Sequence, residues 1–220
     1  MYKAPAFTTP RLLFEPMTLS DLDDMHEIRN KPEVMKWSMR KTPDQSLAET
    51  KTWLTNFVSG ESQPPRLCYV IRELSSSGTK GRVIGNMGVR MEPAPAGRED
   101  PGLVASSEAA PAAVAGGIVL TPGKDRWELG YIFHPEVWGR GYASEAVQHL
   151  SARFFEYLRD AMVAVYADQA ANVEPGLFAI TNFDNGPSAR VLVKNGFVGP
   201  VEEFVEGDGT RCVVFVKVGV

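Results

Sequence analysis

Seven stretches of the chain carry the alternating or β-branched apolar pattern that is typical of β-strands. The run CVVFV at 212–216 is apolar at every position, which predicts a strand covered by neighbours rather than an exposed edge. A further short strand is expected around 117–121. The seven predicted strands lie at 11–17, 67–74, 82–91, 127–133, 177–182, 198–205 and 211–218.

Two helices are predicted between the first and second strands. The first has Ser20 as its N-cap, with Asp23 three residues later as a short form of the capping box. The second begins with Thr42 as cap, Pro43 at the first helical position and Gln45 at the box position. Its apolar face comprises Leu47, Trp53, Leu54 and Phe57.

A long helix is predicted from 142 to about 170, as one unit or as two stacked helices. The interpretation rests on apolar residues at helical spacing, and an alternative is that 162–167 forms a strand. A shorter helix over 188–194 ends at Asn195-Gly196, a common C-cap pair. The apolar series of the long helix is Ala143, Val147, Leu150, Phe154, Leu158, Met162 and Val165.

The segment 93–117 differs sharply in composition from the rest, because 16 of its 25 residues are Ala, Pro or Gly. Such a composition cannot build a packed core, so we expect a low-complexity surface insertion in one domain that spans 1–220. A tolerated loop is favoured over an interaction segment, since long surface loops cost little in closure entropy.

Composition narrows the function classes. The 220 residues carry a formal charge of −4, which argues against nucleic acid as the main partner. No apolar run has the length of a membrane span, and the N-terminus lacks a signal-peptide core, so we expect a cytoplasmic protein without a membrane partner. Cys68 and Cys212 lie in apolar runs, which indicates buried free thiols in a reducing compartment. The three histidines show no metal-ligand spacing, and no metal is expected.

The stretch 127–146, WELGYIFHPEVWGRGYASEA, organises the chain. A strand is broken at Pro135, and two glycines, Gly139 and Gly141, precede the long helix. Glycines let a backbone turn sharply, and the free amides at a helix start attract anions. The alternative is a simple turn. The stretch has neither the Lys-Ser/Thr of a nucleotide-hydrolase phosphate loop nor the Gly-x-Gly-x-x-Gly spacing of dinucleotide binders.

Two segments together resemble the GNAT superfamily of acetyltransferases. ELGY at 128–131 followed by WGRGYASEA at 138–146 is similar to motif A, and more narrowly to the Rim-type branch that includes ribosomal-protein N-terminal acetyltransferases. NGPS at 185–188 followed by KNGF at 194–197 resembles motif B. Two motifs in the right order are far more specific than either alone, and the resemblance covers roughly 10–218.

This resemblance implies an α+β or α/β fold. Its mixed sheet of six to seven strands is splayed between the fourth and fifth strands and flanked by helices. It also implies acetyl-CoA as co-substrate, with the pyrophosphate held by the amides of the glycine loop. The implied cofactor-binding residues are Tyr131, Ile132, Phe133, Trp138, Gly139, Arg140, Gly141, Tyr142, Ala143, Ser144, Asn185, Ser188 and Lys194.

Acetyl transfer to an amine requires a neutral amine, a donor for the oxyanion and help for the departing thiolate. The resemblance makes Glu128 a proton relay to the amine. The alternative is a structural carboxylate paired with Arg126 or Arg140. Many family members have a tyrosine acid where this chain has Leu192, so Ser188 becomes the candidate that meets the sulfur.

The acceptor site is implied between the two N-terminal helices. Trp37 and Met39 are candidate substrate contacts there, and packing against the sheet is the alternative. The function implied is an N-acetyltransferase, acting on a protein N-terminus or a small-molecule amine as monomer or homodimer. A non-catalytic CoA-binding or scaffold protein of the same fold is the alternative.

Overall fold

The computed structural model describes residues 5–58, 66–75, 78–92, 113–114, 118–119, 124–165, 167 and 173–219. A mixed sheet of eight strands dominates these residues, and helices cover both of its faces. The strands are β1 (Phe7–Thr8), β2 (Leu12–Pro16), β3 (Arg66–Leu74), β4 (Lys80–Glu92), β5 (Ala113–Val114), β6 (Ile118–Val119), β7 (Asp125–Phe133), β8 (Val173–Asn182), β9 (Val198–Val205) and β10 (Arg211–Lys217).

The sheet order is β1-β2-β3-β4-β7-β8-β10-β9, while β5 and β6 pair only with each other. All seven strands predicted for the sheet are present, and the short strand expected near 117–121 is found as β6. The predicted number of six to seven is one too low, because β1 adds an edge strand. Two residues are too few for a sequence pattern, and β1 is positioned by Phe7, whose ring stacks on Phe14 with centroids 4.3 Å apart.

The helices are α1 (Leu22–Arg29), α2 (Pro32–Met35), α3 (Leu47–Val58), α4 (Tyr142–Arg153), α5 (Arg159–Val165) and α6 (Gly186–Lys194), with a π-helical turn at Phe154–Leu158. Helix α4, the π turn and α5 follow one another without a break. The prediction of a long helix is confirmed through Val165, and the strand alternative is wrong for 162–165. Most of 166–172 lies outside the described residues.

The predicted N-cap of the first helix is wrong. The helix is preceded by a 3-10 turn at Leu19–Asp21, and Ser20 lies inside that turn. Asp21 accepts a hydrogen bond at 2.9 Å from the N–H of Thr18, the residue before the turn. The carboxylate of Asp21 also pairs with Arg72 of β3, so a contact from the sheet selects this start.

The predicted start of the second helix is also wrong. Helix α3 begins at Leu47, and Ser46 accepts a hydrogen bond at 3.3 Å from the N–H of Glu49. The segment before it stays non-helical because Asp44 is buried against α1. There its N–H donates to the Arg29 carbonyl at 3.0 Å, and its carboxylate accepts from the Arg29 guanidinium at 2.7 Å.

Two apolar clusters cover the two faces of the sheet. On one face, α4 and the π turn pack on the sheet through buried side chains such as Leu150 and Phe154. On the other face, α1 and α3 contribute Met25, Ile28 and Leu54. Strand β10 lies between β8 and β9 with residues 212–216 buried, which confirms the prediction of a covered strand.

The neighbouring strands of the large sheet run antiparallel except β7 and β8, which run parallel. Their pairing includes Trp127 with Leu177 and ends with Glu128 and Phe178. Beyond that point β7 stays paired with β4 as far as Phe133, whereas its other edge separates from β8. The predicted splay between the fourth and fifth of the seven strands is therefore confirmed.

Three further observations concern the sequence predictions. Cys68 and Cys212 are not joined in a disulfide, and burial raises the pKa of Cys68 to about 12. In the described part of the chain, no helix is long and apolar enough to cross a membrane. The insertion predicted at 93–117 lies outside the described residues except for β5, so its role stays a prediction.

Candidate active site

The separation of β7 from β8 opens a cavity of about 430 Å³. Its walls are the ends of the two strands, the loop that follows β7, the first turn of α4, and α6. Every residue predicted to bind the cofactor lines this cavity except Arg140. The guanidinium of Arg140 lies outside it and bonds to Glu73 Oε1 at 3.2 Å.

The glycine loop has the geometry that its sequence predicts. Gly139 and Gly141 have φ angles of +73° and +82°, a region that side chains disfavour. The indole Nε1 of Trp138 donates to the Phe133 carbonyl at 2.8 Å, which ties the loop back to β7. Helix α4 then begins at Tyr142 with its first amides free of intrahelical acceptors, a favourable place for an anion.

The cavity also leaves backbone open to a ligand. A Cβ atom added at Gly130 or Gly139 would meet no atom within 4 Å among the described residues. Gly130 lies on β7 just beyond the last β8 pair, where the free edge of the strand faces the gap. An extended ligand arm can therefore approach the backbone of β7 closely, and a phosphate group can approach the loop.

A second cavity of about 120 Å³ adjoins the first, and Trp37, Ile180 and Thr181 line both. It contains the remaining predicted site residues, Glu128 and Met39. Met39 is 73% exposed, so packing against the sheet does not account for it.

Glu128 is held in this second cavity by an arginine from the adjacent strand. Its Oε1 lies 3.3 Å from Nη2 of Arg90, its direct cross-strand neighbour, and its side chain is 12% exposed. Pairing with Arg126 or Arg140, the structural alternative from the sequence, is wrong. Arg126 pairs with Glu202 at 2.6 Å and Arg140 with Glu73.

Tyr131 lies on the opposite face of β7 from Glu128, because the two are three positions apart and side chains alternate along a strand. Its hydroxyl lies 2.8 Å from Oγ of Ser188 at the start of α6. Burial raises the pKa of Tyr131 to about 12, against a smaller opposite effect of the Ser188 bond. The phenol therefore stays protonated at neutral pH.

Helix α6 presents Ser188 through a local cap. Oδ1 of Asn185 accepts from the Ser188 N–H at 3.2 Å, as the cap of a helix whose second residue is Pro187. Leu192, where a tyrosine acid was considered, is buried. Lys194 is exposed at the end of α6 and lines the first cavity.

Two site elements come from distant parts of the chain and were not predicted from the sequence. Arg11, just before β2, forms an ion pair with Glu145 of α4 at 2.6 Å. Lys41 bonds to Glu206 and Asp208 of the β9–β10 turn at 2.5 and 2.6 Å, which links two walls of the second cavity. No local pattern could have predicted these partners, because more than 130 residues separate each pair.

Comparison with known proteins agrees with this geometry. The sequence profile of the acetyltransferase (GNAT) domain matches residues 11–198. An uncharacterized N-acetyltransferase, p20 of Bacillus licheniformis, is 30% identical over 212 residues, covering 94% of this chain and 92% of its own.

Solved structures share the fold. A GNAT-family acetyltransferase of Bacillus anthracis matches with a TM-score of 0.62 and 15% identity over 97% of this chain and 98% of its own. The ribosomal-protein-S5-alanine acetyltransferase of Vibrio fischeri matches with a TM-score of 0.60 and 15% identity over 98% and 97%.

The chain therefore has the splayed parallel strands and the glycine loop at a helix start that its resemblance to acetyltransferases implies. The chain belongs to the GNAT acetyltransferase family and is an N-acetyltransferase that depends on acetyl-CoA.

Proposed function

We propose that the protein transfers the acetyl group of acetyl-CoA directly to a primary amine, at the junction of the two cavities. One observation carries the proposal: the pairing of β7 with β8 stops at Glu128, where the two cavities share Trp37, Ile180 and Thr181. The donor and the acceptor can therefore meet without a covalent enzyme intermediate.

The larger cavity is assigned to the donor. The amides of Gly141, Tyr142 and Ala143 would hold the pyrophosphate of the donor at the start of α4. The free edge of β7, from Gly130 to Phe133, would receive the pantetheine arm and give an amide to the developing oxyanion. The bound donor supplies the thioester, and the side chains of Trp138, Ser144 and Lys194 would help to enclose it.

The smaller cavity is assigned to the acceptor, with Trp37 and Met39 as contacts and Glu128 as the proton relay. Glu128 faces this cavity, while Ser188 and Tyr131 face the donor side of β7. This arrangement separates the group that removes a proton from the amine and the group that meets the thiolate. The two proton roles can therefore operate on opposite sides of one strand.

Ser188 is assigned to the leaving thiolate. Because Tyr131 stays protonated, its O–H can donate to Ser188 Oγ, which leaves the serine hydrogen free for the sulfur. The chain of two hydroxyl groups does not need to ionise. The two hydroxyl groups stabilise the thiolate by hydrogen bonding until the thiolate is protonated. A tyrosine acid at position 192, where this chain has Leu192, is therefore not required.

The size and lining of the smaller cavity support a small, polar amine acceptor. About 120 Å³ suits one small residue or the end of a slender molecule. The lining combines carboxylates with Lys36, Lys41 and Arg90, which suits an acceptor carrying polar groups beside its amine. A protein N-terminus and a small-molecule amine both meet this description.

The two cysteines are not joined in a disulfide, which fits a cytoplasmic protein.

The test is a steady-state assay of acetyl-CoA with two acceptor sets. One contains peptides with free N-termini, each matched with the same peptide blocked at its N-terminus, and the other contains small primary amines. Mass spectrometry identifies the acetylated atom. Direct transfer predicts intersecting initial-rate lines for the two substrates, whereas parallel lines from a ping-pong mechanism would contradict it.

A further inference from the structure

The side chain of Arg11 makes three contacts around the glycine loop. Its Nε bonds to Glu145 Oε2 at 2.6 Å, and its Nη1 donates to the carbonyl oxygen of Arg140 at 3.0 Å. Its Cζ lies 4.5 Å from the centroid of the Tyr142 ring. The backbone N–H of Arg11 also donates to Glu145 Oε1 at 2.9 Å. Arg11 is therefore anchored to α4, and its guanidinium extends from there to the glycine loop.

The bond to the Arg140 carbonyl orients an amide of the donor site. In a planar trans peptide, the C=O of one residue and the N–H of the next point in opposite directions. The Arg140 carbonyl turns toward Arg11, so the N–H of Gly141 turns away from it. Gly141 lines the donor cavity.

This orientation is not secured by the loop itself. Gly141 has a φ of +82°, and glycine adopts positive and negative φ about equally well. The residue before the peptide is Arg140, whose side chain bonds to Glu73 and to the hydroxyl of Tyr142, and neither bond involves the Arg140 carbonyl. A peptide beside such a glycine can rotate at little steric cost, so an outside contact is needed to keep one orientation populated.

We infer that Arg11 is a positioning residue for the donor site: by holding the Arg140 carbonyl, it keeps the Gly141 amide directed at the pyrophosphate of acetyl-CoA. The inference rests on the donor site proposed above. A direct contact between Arg11 and the 3′-phosphate of the donor is the competing role. The ion pair with Glu145 argues against it, because that carboxylate already offsets the charge of the guanidinium.

Calorimetric titration of Arg11→Met with CoA and with dephospho-CoA, which lacks the 3′-phosphate, tests the inference. Loss of one charge-assisted hydrogen bond predicts about a 10-fold weaker affinity. The loss should be the same for both ligands, and it should appear as a higher KM for acetyl-CoA with kcat within about two-fold. Arg159→Met is the matched control, because Arg159 pairs with its neighbour Asp160 and lines neither cavity.

Three results would overturn the inference. An unchanged affinity of folded Arg11→Met for both ligands would exclude the positioning role. A loss of affinity for CoA but not for dephospho-CoA would show instead a direct contact between Arg11 and the 3′-phosphate. An equal loss in Arg159→Met shows a general effect of charge. Should Arg11→Met fail to fold, Arg11→Lys decides. A lysine keeps the charge but lacks the rigid planar fork by which Nε and Nη1 of Arg11 reach two separate partners. Arg11→Lys should bind CoA more weakly than wild type, and wild-type affinity would contradict the inference. Failure of the wild-type protein to bind CoA would instead overturn the donor site itself.

Discussion

The hydroxyl oxygens of Tyr131 and Ser188 lie 2.8 Å apart, although 57 residues separate them in the chain. The pair joins the middle of β7 to the first turn of α6 across the donor cavity. It places a buried phenol behind the serine that we assign to the leaving thiolate.

Tyr131→Phe should lower kcat by about 3- to 10-fold, because general-acid assistance reaches about 10²-fold or more and a supporting hydrogen bond contributes less. The KM for acetyl-CoA should stay close to wild type. Ser188→Ala should lower kcat by about 10-fold, and the double variant should be no slower than Ser188→Ala alone. Fully multiplicative losses in this double-mutant cycle would show that the two hydroxyls act separately.

Gly141→Asp should abolish CoA binding, since it adds a negative charge to the loop assigned to the pyrophosphate and forces a side chain into a φ of +82°. The added side chain would also contact Arg11, because a Cβ atom at Gly141 lies 3.5 Å from Arg11 Nη2. Gly141→Ala, which adds only the strain of about 1–2 kcal/mol, should weaken binding less. Gly78→Asp is the matched control: Gly78 has a φ of +75°, with no atom within 4 Å of an added Cβ among the described residues. Calorimetry should find the wild-type affinity for CoA in Gly78→Asp. Normal affinity in a folded Gly141→Asp protein would be incompatible with the pyrophosphate assignment.

Glu128→Gln should cost more activity at pH 7 than at pH 9 if the carboxylate relays the proton of the amine. An α-amino acceptor has a pKa of about 7.7–8.0, so most of it is already neutral at pH 9. The comparison variant is Glu202→Gln, which removes another carboxylate that is ion-paired on the sheet. It should keep kcat/KM at both pH values. An equal loss for Glu128→Gln at pH 7 and pH 9 would indicate a structural carboxylate.

Lys41→Met should raise the KM for the acceptor severalfold and leave the KM for acetyl-CoA unchanged, because Lys41 joins two walls of the acceptor cavity. The hydrogen bond from Lys41 lowers the pKa of Asp208 to about 2, so this ion pair is intact above about pH 4. The KM ratio of variant to wild type should therefore be constant from pH 6 to pH 9. Lys80→Met, which removes a lysine paired with Glu15, controls for charge. A rise confined to acetyl-CoA would refute this role.

Asp44→Asn should lower the free energy of unfolding by about 3 kcal/mol or more, since it leaves buried Arg29 without its carboxylate partner. The melting temperature should fall by about 6–12 °C. Glu203→Gln, which breaks the exposed pair with Arg211, should change stability by less than about 1 kcal/mol.

The effect of Asp44→Asn should also depend on pH. Burial opposes ionisation of Asp44, but the hydrogen bonds from Arg29 and Thr50 outweigh it and lower the pKa of the carboxyl below its ordinary value of 3.8. A lowered pKa stabilises the fold above the ordinary pKa, and the stabilisation is lost as pH falls. The stability gap between wild type and Asp44→Asn should be constant from pH 5 to pH 8 and narrow below pH 4. A gap that stays constant in acid would show that the ion pair contributes little.

Local sequence patterns were sufficient to predict the strands and helices that form the fold. Strands and helices have different apolar periods, so the seven strands and the helix from Tyr142 to Val165 could be read directly. The glycine loop was also readable, because positive φ angles at Gly139 and Gly141 demand a residue type that the sequence displays. The residues of the donor cavity were then implied by the resemblance of two segments to GNAT motifs.

The starts of two helices could not be read in the same way. Both Thr42 and Ser46 are good caps, and the choice between them depends on Asp44, which the Arg29 guanidinium holds outside the helix. A cap is a local preference of about 1 kcal/mol, so a buried ion pair can override it.

By itself, the sequence determined the order of strands and helices and the glycine loop, because these depend on residues adjacent in the chain. The splay was implied by the resemblance to the GNAT family. Only the tertiary structure decided which side chains meet: Glu128 with Arg90, Tyr131 with Ser188, and Arg11 with Glu145. The reason is physical. Each of these pairs forms across strands or helices whose relative position is set by packing of the whole core, and no local periodicity records the partner.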